Sequence, residues 1–543
     1  MATFIPPQRD PIGYHAMVLH AHLPYVRHPE YDYFLEEHWL YEAITETYVP
    51  LLVMFENLMK DGIDFRLTMT MTPSLLAMLA DPLLQDRYLV YIGRLVELAE
   101  KEVVRTRGDS HFHPLALYYA DRFKATYKLF DETYHRNLIT GFKKFQDYGF
   151  LEIVTCCATH GFLPLFQMYP EAVQAQIEVA AQSYRGHFDR NPRGIWLAEC
   201  GFYPGADRFL KQAGIEFFFT DTHGIVNSTP RSRYGAYAPI FCPDTGVAVF
   251  CRDRESSEQV WSSEVGYPGD HYFREYYRDI GYDLDFDYIK DYIQPDGTRK
   301  NTGIKYYRVT GKTAEKQPYN LEMARQKCDV HANHFVRSRA EQLTNLAHVF
   351  EGHKPLVLSP YDAELYGHWW FEGPEWLNLV LRKATHNQSV YKMTTPYEYL
   401  LNNPTQQLAE PSPSSWGANG YNSFWLNETN DKIYRHLHKA TERMIELAYR
   451  FPETEGVQKQ ALNQAARELL LAQSSDWPFI MKTGTMVEYA VKRVKTHLYR
   501  FNQLYQGMYS QSIDPEWLTK VEYLDNIFPE IDYSVYRLPQ AHA

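Results

Sequence analysis

The chain is 543 residues long, 45% hydrophobic and 22% charged, with a formal net charge of −12. That length leaves room for roughly two to four domains with sizeable cores, and the ratio of apolar to charged residues excludes an intrinsically disordered chain. The acidic balance argues against a nucleic-acid partner, because gripping phosphates takes clustered Lys and Arg.

Short apolar runs, each followed by polar residues, set the order of elements. YHAMVLH at 14–20 predicts a first strand and leads into His20-Ala21-His22. FRLTMTM at 65–71 predicts a second. Residues 93–149 are charged, rich in Tyr and Phe and helical in pattern, and are expected to form an inserted helical subdomain. LEIVTC at 151–156 predicts a third strand, followed by Thr159-His160-Gly161 and by a helix from Pro170 to Phe188. GIWLA at 194–198 predicts a fourth, running straight into Glu199-Cys200-Gly201. Further strands are expected at 215–220, at 247–251 before Arg252-Asp253, and at 355–359 before Tyr361-Asp362-Ala363-Glu364. Near-continuous apolar runs suit strands buried on both faces of a parallel sheet. Their alternation with helices gives an α/β fold, either a barrel or a doubly wound sheet. From 411 the pattern changes: PSPSSWGANGYNS reads as a loop. Apolar residues at helical spacing in 431–451 (Ile433, Leu437, Met444, Leu447) and 487–506 then predict a helical C-terminal domain. The expected division is an α/β domain at 1–92 and 150–410, the insertion at 93–149, and the helical domain at 411–543.

In α/β barrels, functional groups gather beyond the C-terminal ends of the strands, and five of these predicted strands end in titratable residues. His20 and His22 are two apart and face the same side of a strand. With His160 they form either a set of hydrogen-bonding histidines or a three-histidine metal site. Glu199 and Asp362 each end a buried strand. Two carboxylates flanking one bond are what glycosidic cleavage requires, one attacking the anomeric carbon and the other protonating the leaving oxygen. Glu364 rivals Asp362 on the same segment. The 43 Tyr, 30 Phe and 10 Trp offer flat faces for sugar C–H surfaces as well as core filling. Trp39, Trp261, Trp416 and Trp425 lie in polar segments and Trp369 closely follows Asp362, placements that favour stacking on sugar. Asp476, in QSSDWPF, lies at a turn as a site residue or a helix cap.

These segments carry a family resemblance. VLHAHLPYVRHPE, CCATHGFLPL, GIWLAECGFYPG, LSPYDAELYGHWWFEGPEWL and SSWGANGYNSFWLNE resemble, in order, the five conserved regions of glycoside hydrolase family 57. QVWSSEVGYPGD and LLLAQSSDWPFI resemble its α-1,4-glucan branching enzymes, and the likeness runs from about residue 14 to 533. The resemblance implies a distorted (β/α)7 barrel with a helical insertion and a helical C-terminal domain. It implies a retaining transglycosylase with Glu199 as nucleophile and Asp362 as acid/base. His20, His22, His160 and Arg252 would line the donor subsite, and Trp39, Trp261, Trp369, Trp416, Trp425 and Asp476 would shape the groove. The donor and acceptor would be α-1,4-glucan, such as amylose, glycogen or starch, with no metal or other cofactor. Branching enzymes of the family carry a mobile loop tipped by a Tyr. The matching stretch is VNSTPRSRYGAYAPIF, with Tyr234 as the tip and Tyr237 as the alternative. It is shorter than in some relatives, which would admit water and favour hydrolysis.

Three other functions stand beside this one: a 4-α-glucanotransferase or amylase of the same family, a metal-dependent carbohydrate hydrolase or deacetylase using the three histidines, and a non-catalytic glucan-binding protein. None of the six cysteines forms a CxxC pair, so reduced thiols are expected. The start, MATFIPPQRDPIGYH, lacks the charged-then-apolar signature of a signal peptide, and no apolar run reaches about 18 residues. The expectation is a cytoplasmic protein without a membrane partner.

Overall fold

The computed structural model describes residues 10–262 and 265–539. Its ten strands are β1 (Gly13–Ala21), β2 (Leu67–Met71), β3 (Leu151–Cys156), β4 (Gly194–Trp196), β5 (Phe217–Thr220), β6 (Ile240–Phe241), β7 (Ala248–Cys251), β8 (Leu356–Asp362), β9 (Tyr391–Met393) and β10 (Gln407–Leu408). They form one sheet in the order β10-β6-β7-β5-β4-β3-β2-β1-β8, with β9 beside β1 off this path. Every pairing is parallel except β6 against β7. Seven parallel strands, β8-β1-β2-β3-β4-β5-β7, make the wall of a curled barrel. Its outer strands do not pair as a ladder. Instead the Asp253 N–H just past β7 donates to the Leu358 carbonyl of β8 at 2.8 Å, and the Tyr361 hydroxyl reaches the Ser256 carbonyl at 2.8 Å. This is the distorted (β/α)7 architecture.

The sequence explains the burial. All nine residues of β1 and the first six of β8 are buried, as expected for parallel strands covered on both faces. The seven strands of the barrel wall coincide with the predicted runs. The two-residue β6 and β10 and the three-residue β9 were not foreseen, being too short to show a period.

Helices follow β2 without interruption. Pro73–Leu79 is capped by Thr72, and Pro82–Arg105 by Asp81, whose carboxylate accepts from the Leu84 N–H. The latter helix runs straight through the border expected at residue 93. Leu84, Tyr88, Ile92, Leu95 and Ala99 form one unbroken buried stripe, so the helical excursion begins upstream. Phe112–Lys128 and Leu138–Asp147 complete it before β3. The irregular segment after residue 265 is fastened to it by Glu102, which accepts from the hydroxyls of Tyr288 and Tyr306 at 2.8 Å each.

Beyond the loop at 411–430, the helices Asp431–Arg450, Gly456–Ala472, Asp476–Thr483, Val487–Ser510 and Pro515–Leu524 pack together. They enclose an ionic cluster in which His497 Nδ1 lies 2.7 Å from Glu468 and 3.6 Å from Asp525. The N-terminal end of Asp476–Thr483 is brought against the barrel, where the Ser475 N–H donates to the His160 carbonyl at 2.9 Å. Among the described residues, no helix is long and apolar enough to cross a membrane, and all six cysteines are buried free thiols.

Candidate active site

The parallel register places the first two groups. His20 on β1 is the partner of Asp362 on β8, so the two side chains leave neighbouring strands at one level and on one face. β3 and β4 supply the opposite side. His160 and Glu199 both stand just past their strands with φ of 59°, and Cys200 follows with φ of 52°. Left-handed backbone at three non-glycine residues costs energy, and such strain collects where side-chain direction matters. Here it turns the imidazole and the carboxyl into the cleft.

A chain of contacts joins the two sides. His20 Nε2 lies 3.1 Å from His160 Nε2, and His160 Nδ1 lies 2.8 Å from Ser475 Oγ and 3.8 Å from Glu199 Oε1. The Trp416 indole N–H donates to Glu199 Oε2 at 2.6 Å, and the backbone N–H of Trp416 donates to the Glu199 carbonyl at 3.0 Å. His22 bridges Thr72 Oγ1 at 3.0 Å and Asp476 Oδ1 at 3.0 Å. Arg252 donates to Asp221 at 2.5 Å.

Charge in the cleft is finely balanced. Burial raises Glu199 to about 7, against the Trp416 hydrogen bond, while Asp476 and Asp362 push it the same way by repulsion. Asp362 faces the open cleft but is surrounded by protein, and that enclosure raises it to about 6 against the pull of His22 and Arg252. Both carboxyls are thus lifted, and the charge on Asp362 adds to the lift on Glu199. Glu364 is raised by burial to about 7, but it is anchored, accepting from Tyr48 Oη at 2.5 Å and from the His22 N–H at 3.2 Å. It therefore serves as a strut under His22, whereas Asp362 is free to meet a ligand. Burial opposes charge on His22, but Asp476 outweighs it and raises the imidazole. Burial first, and the neighbouring histidines second, keep His20 and His160 neutral.

The three histidines do not form a chelate. His22 and His160 stack with centroids 3.7 Å apart and planes 10° apart, so their in-plane lone pairs run parallel instead of converging. Both nitrogens of each ring are already engaged by Thr72, Asp476, His20 and Ser475. Ligand-type atoms of His22, His160 and Asp476 lie within 4.8 Å of one another, yet a metal would have to break this network to bind.

The aromatic candidates divide. Trp416 is partly exposed above Glu199 and packs edge-on to Trp196 at 5.0 Å. Trp369 is 54% exposed and stacks on Tyr276 at 4.7 Å. Its turn depends on Gly367, whose φ of +108° and 1.8 Å approach of a notional Cβ to the Glu46 carbonyl leave no room for a side chain. Trp261 ends the helix Arg254–Trp261 beyond β7 and is 52% exposed. Trp39 is half-buried against Tyr489. Trp425 departs from expectation: it is buried and stacks on Phe162 at 4.5 Å, with Gly417 against its ring. It supports the loop carrying Trp416 from below and offers no face to a ligand. Tyr234 also departs. It stacks on His353 at 4.5 Å and meets Phe350 at a tilt at 4.7 Å, just before β8 begins, whereas Asp362 ends that strand. Seven residues of strand, roughly 20 Å, separate it from the cleft. Tyr237 sits at the same end, its carbonyl accepting from the Leu356 N–H. The local sequence could not reveal which end of the barrel this loop meets.

Sequence reasoning missed Ser475, Thr72 and Asp221. Ser475 stood in the quoted QSSDWPF stretch, one position before Asp476, whereas nothing local marks Thr72 or Asp221.

Known proteins resemble this arrangement closely. The profile described as glycosyl hydrolase family 57 matches residues 16–343, and that of the C-terminal part of 1,4-α-glucan branching enzyme matches 436–536. A 1,4-α-glucan branching enzyme of Thermococcus kodakarensis is 32% identical over 96% of this chain and 78% of its own length. The crystal structure of a branching enzyme from Pyrococcus horikoshii superposes with a TM-score of 0.87 at 34% identity, covering 97% of each chain. That of an α-amylase from Thermotoga maritima superposes at 0.91 with 48% identity, covering 97% of this chain and 99% of its own.

Proposed function

The chain belongs to glycosyl hydrolase family 57, and on that premise we propose that it is a 1,4-α-glucan branching enzyme, a retaining transglycosylase that cleaves α-1,4 linkages and forms α-1,6 branches. One observation carries this reading. The segment matching the branching-enzyme C-terminal profile delivers Ser475 and Asp476 into the barrel site, where Asp476 fixes His22 and Ser475 fixes His160 beside Glu199.

Glu199 attacks the anomeric carbon of the donor while Asp362 gives its proton to the departing glycosidic oxygen, leaving a covalent glucosyl-enzyme. Asp362 then takes the proton of an acceptor 6-hydroxyl, which displaces Glu199 and closes the branch. The competent state holds the pair's proton on Asp362. The Trp416 N–H favours that state by stabilising ionised Glu199, whereas the charge on His22 pulls on both carboxyls. The His20–His160–Ser475 network fixes neutral imidazoles beside Glu199, and Trp416 with Trp369 offers ring faces along the cleft. Transfer must outcompete water, so the acceptor has to be held by stacking and solvent kept from the anomeric carbon. The buried free thiols fit a cytoplasmic enzyme.

Hydrolysis is the second reading, favoured by the 48% identity to the T. maritima α-amylase and by the position of Tyr234 away from the cleft. Incubation with amylose, followed by debranching and proton NMR, separates the two. New α-1,6 linkages with few new reducing ends establish branching, and reducing ends without such linkages refute it.

A further inference from the structure

A second cavity, of about 430 Å³, opens behind the helix that carries Trp39. Its size falls within the roughly 300–1,000 Å³ of ligand pockets. Tyr33, Tyr41 and Tyr91 supply aromatic walls, with Arg94, His38 and Gln294 between them. Tyr33 is half-exposed, and Arg94 holds it in place, its guanidinium 5.6 Å from the ring centre and its Nη2 donating to the hydroxyl at 3.2 Å. Tyr91 meets His38 edge-on at 5.1 Å. The charges balance: Arg87, Arg94 and Lys300 face Asp32, Glu37 and Asp86, which suits neither an anion nor a cation. Hydroxyl groups fit such a lining, since each both donates to carboxylates and accepts from guanidinium and amide.

Two buried donors in this lining have no partner. Lys300 donates to His38 Nε2 at 2.6 Å, which leaves the ring proton on Nδ1, and that atom bonds to nothing; nor does Gln294 Nε2. His38 is 8% exposed and Gln294 7%. Leaving buried polar groups unsatisfied is costly; both atoms lie beneath the accessible surface, so an acceptor oxygen in the cavity meets them once the side chains turn towards it. The half-exposed ring of Tyr33, the balanced hydrogen-bonding groups and the unpartnered donors together describe a site for a neutral polyhydroxylated ring.

We propose that this cavity is a second, non-catalytic binding site for a glucose segment of an α-1,4-glucan chain, anchoring long substrate away from Glu199 and Asp362. The proposal rests on the functional reading given above. Neighbouring positions on the helix serve the two sites, since Trp39 turns to Tyr489 while His38 and Tyr41 turn to the cavity.

The test uses Tyr33→Ala and Gln294→Leu, separately, in the full chain. The half-saturating amylose concentration and kcat are measured, together with retardation of each variant in native gels containing amylose, in the Glu199→Gln background. The expected result is an approximately fivefold rise in half-saturating amylose, the size of one lost stacking or hydrogen-bonding contact. Weaker retardation and unchanged kcat should accompany it, the latter showing that the fold is intact. Parent-like half-saturation and retardation in both variants would overturn the second site while leaving the catalytic reading in place. A parent protein that neither processes amylose nor is retarded by it would overturn both.

Discussion

Replacing Trp416 with Phe keeps an aromatic ring over the cleft and deletes one hydrogen bond, that from Nε1 to Glu199 Oε2 at 2.6 Å. A donor to a charged acceptor is worth about 1.5–3 kcal/mol, which moves an ionisation midpoint by about one to two pH units. The direction follows from which form the bond favours. The indole N–H stabilises the carboxylate, so its loss raises further a group that burial has already lifted to about 7. Only ionised Glu199 attacks, so the variant should be slowed below the raised midpoint of Glu199 and approach the parent rate above it, the ratio of variant to parent kcat/KM climbing with pH. With the smaller shift, the ionised fraction at pH 7 falls from about one half to about one tenth, a loss of roughly fivefold in rate. At pH 9 the variant should recover most of the parent rate. The assay is the rate of α-1,6 linkage formation on amylose from pH 5 to 9. A variant slowed equally at every pH would show that Trp416 acts by packing alone and would refute its role in ionising Glu199.

Glu199→Gln should abolish detectable transfer and hydrolysis while leaving the circular-dichroism spectrum unchanged; near-parent turnover would remove Glu199 as nucleophile. Because Tyr234 packs at the opposite end of β8, Tyr234→Ala should leave the ratio of α-1,6 linkages to reducing ends unchanged, and a marked shift towards hydrolysis would show that this loop reaches the cleft during turnover. Asp525→Asn removes the carboxylate shared by Arg500, His497 and Arg493. Breaking such a buried ionic cluster should cost about 3–5 kcal/mol, seen as a lower denaturant midpoint with the pH profile of catalysis unaltered. Dialysis against EDTA should leave activity intact, since the stacked imidazoles of His22 and His160 do not converge on a common ligand position; loss restored by added metal would revive the metal-dependent reading.

Much of the molecule was legible before folding. The near-continuous apolar runs marked the parallel strands, because strands covered on both faces need no polar alternation. The residues that follow them, His20, His160, Glu199, Arg252 and Asp362, were marked as a group because barrel strands present their C-terminal ends to one face. Asp476 carried only the signal of a polar residue at a turn, and the resemblance gave it a place in the site. What local pattern could not supply was three-dimensional closure. Glu364, the rival of Asp362 along the segment, is tied down by Tyr48, which is 316 positions away along the chain and which no local pattern could have brought to it. Trp425 and Trp416 stand in similar polar surroundings, yet one is sealed against Phe162 and the other opens over Glu199. Tyr234 packs beside the start of β8, at the end opposite Asp362, away from the role its loop suggested. Composition and period determine which residues leave water and which element they form, since those depend on near neighbours. Which side chains meet across a cleft depends on how the sheet curls and where the C-terminal helices dock, and those are settled by contacts hundreds of residues apart.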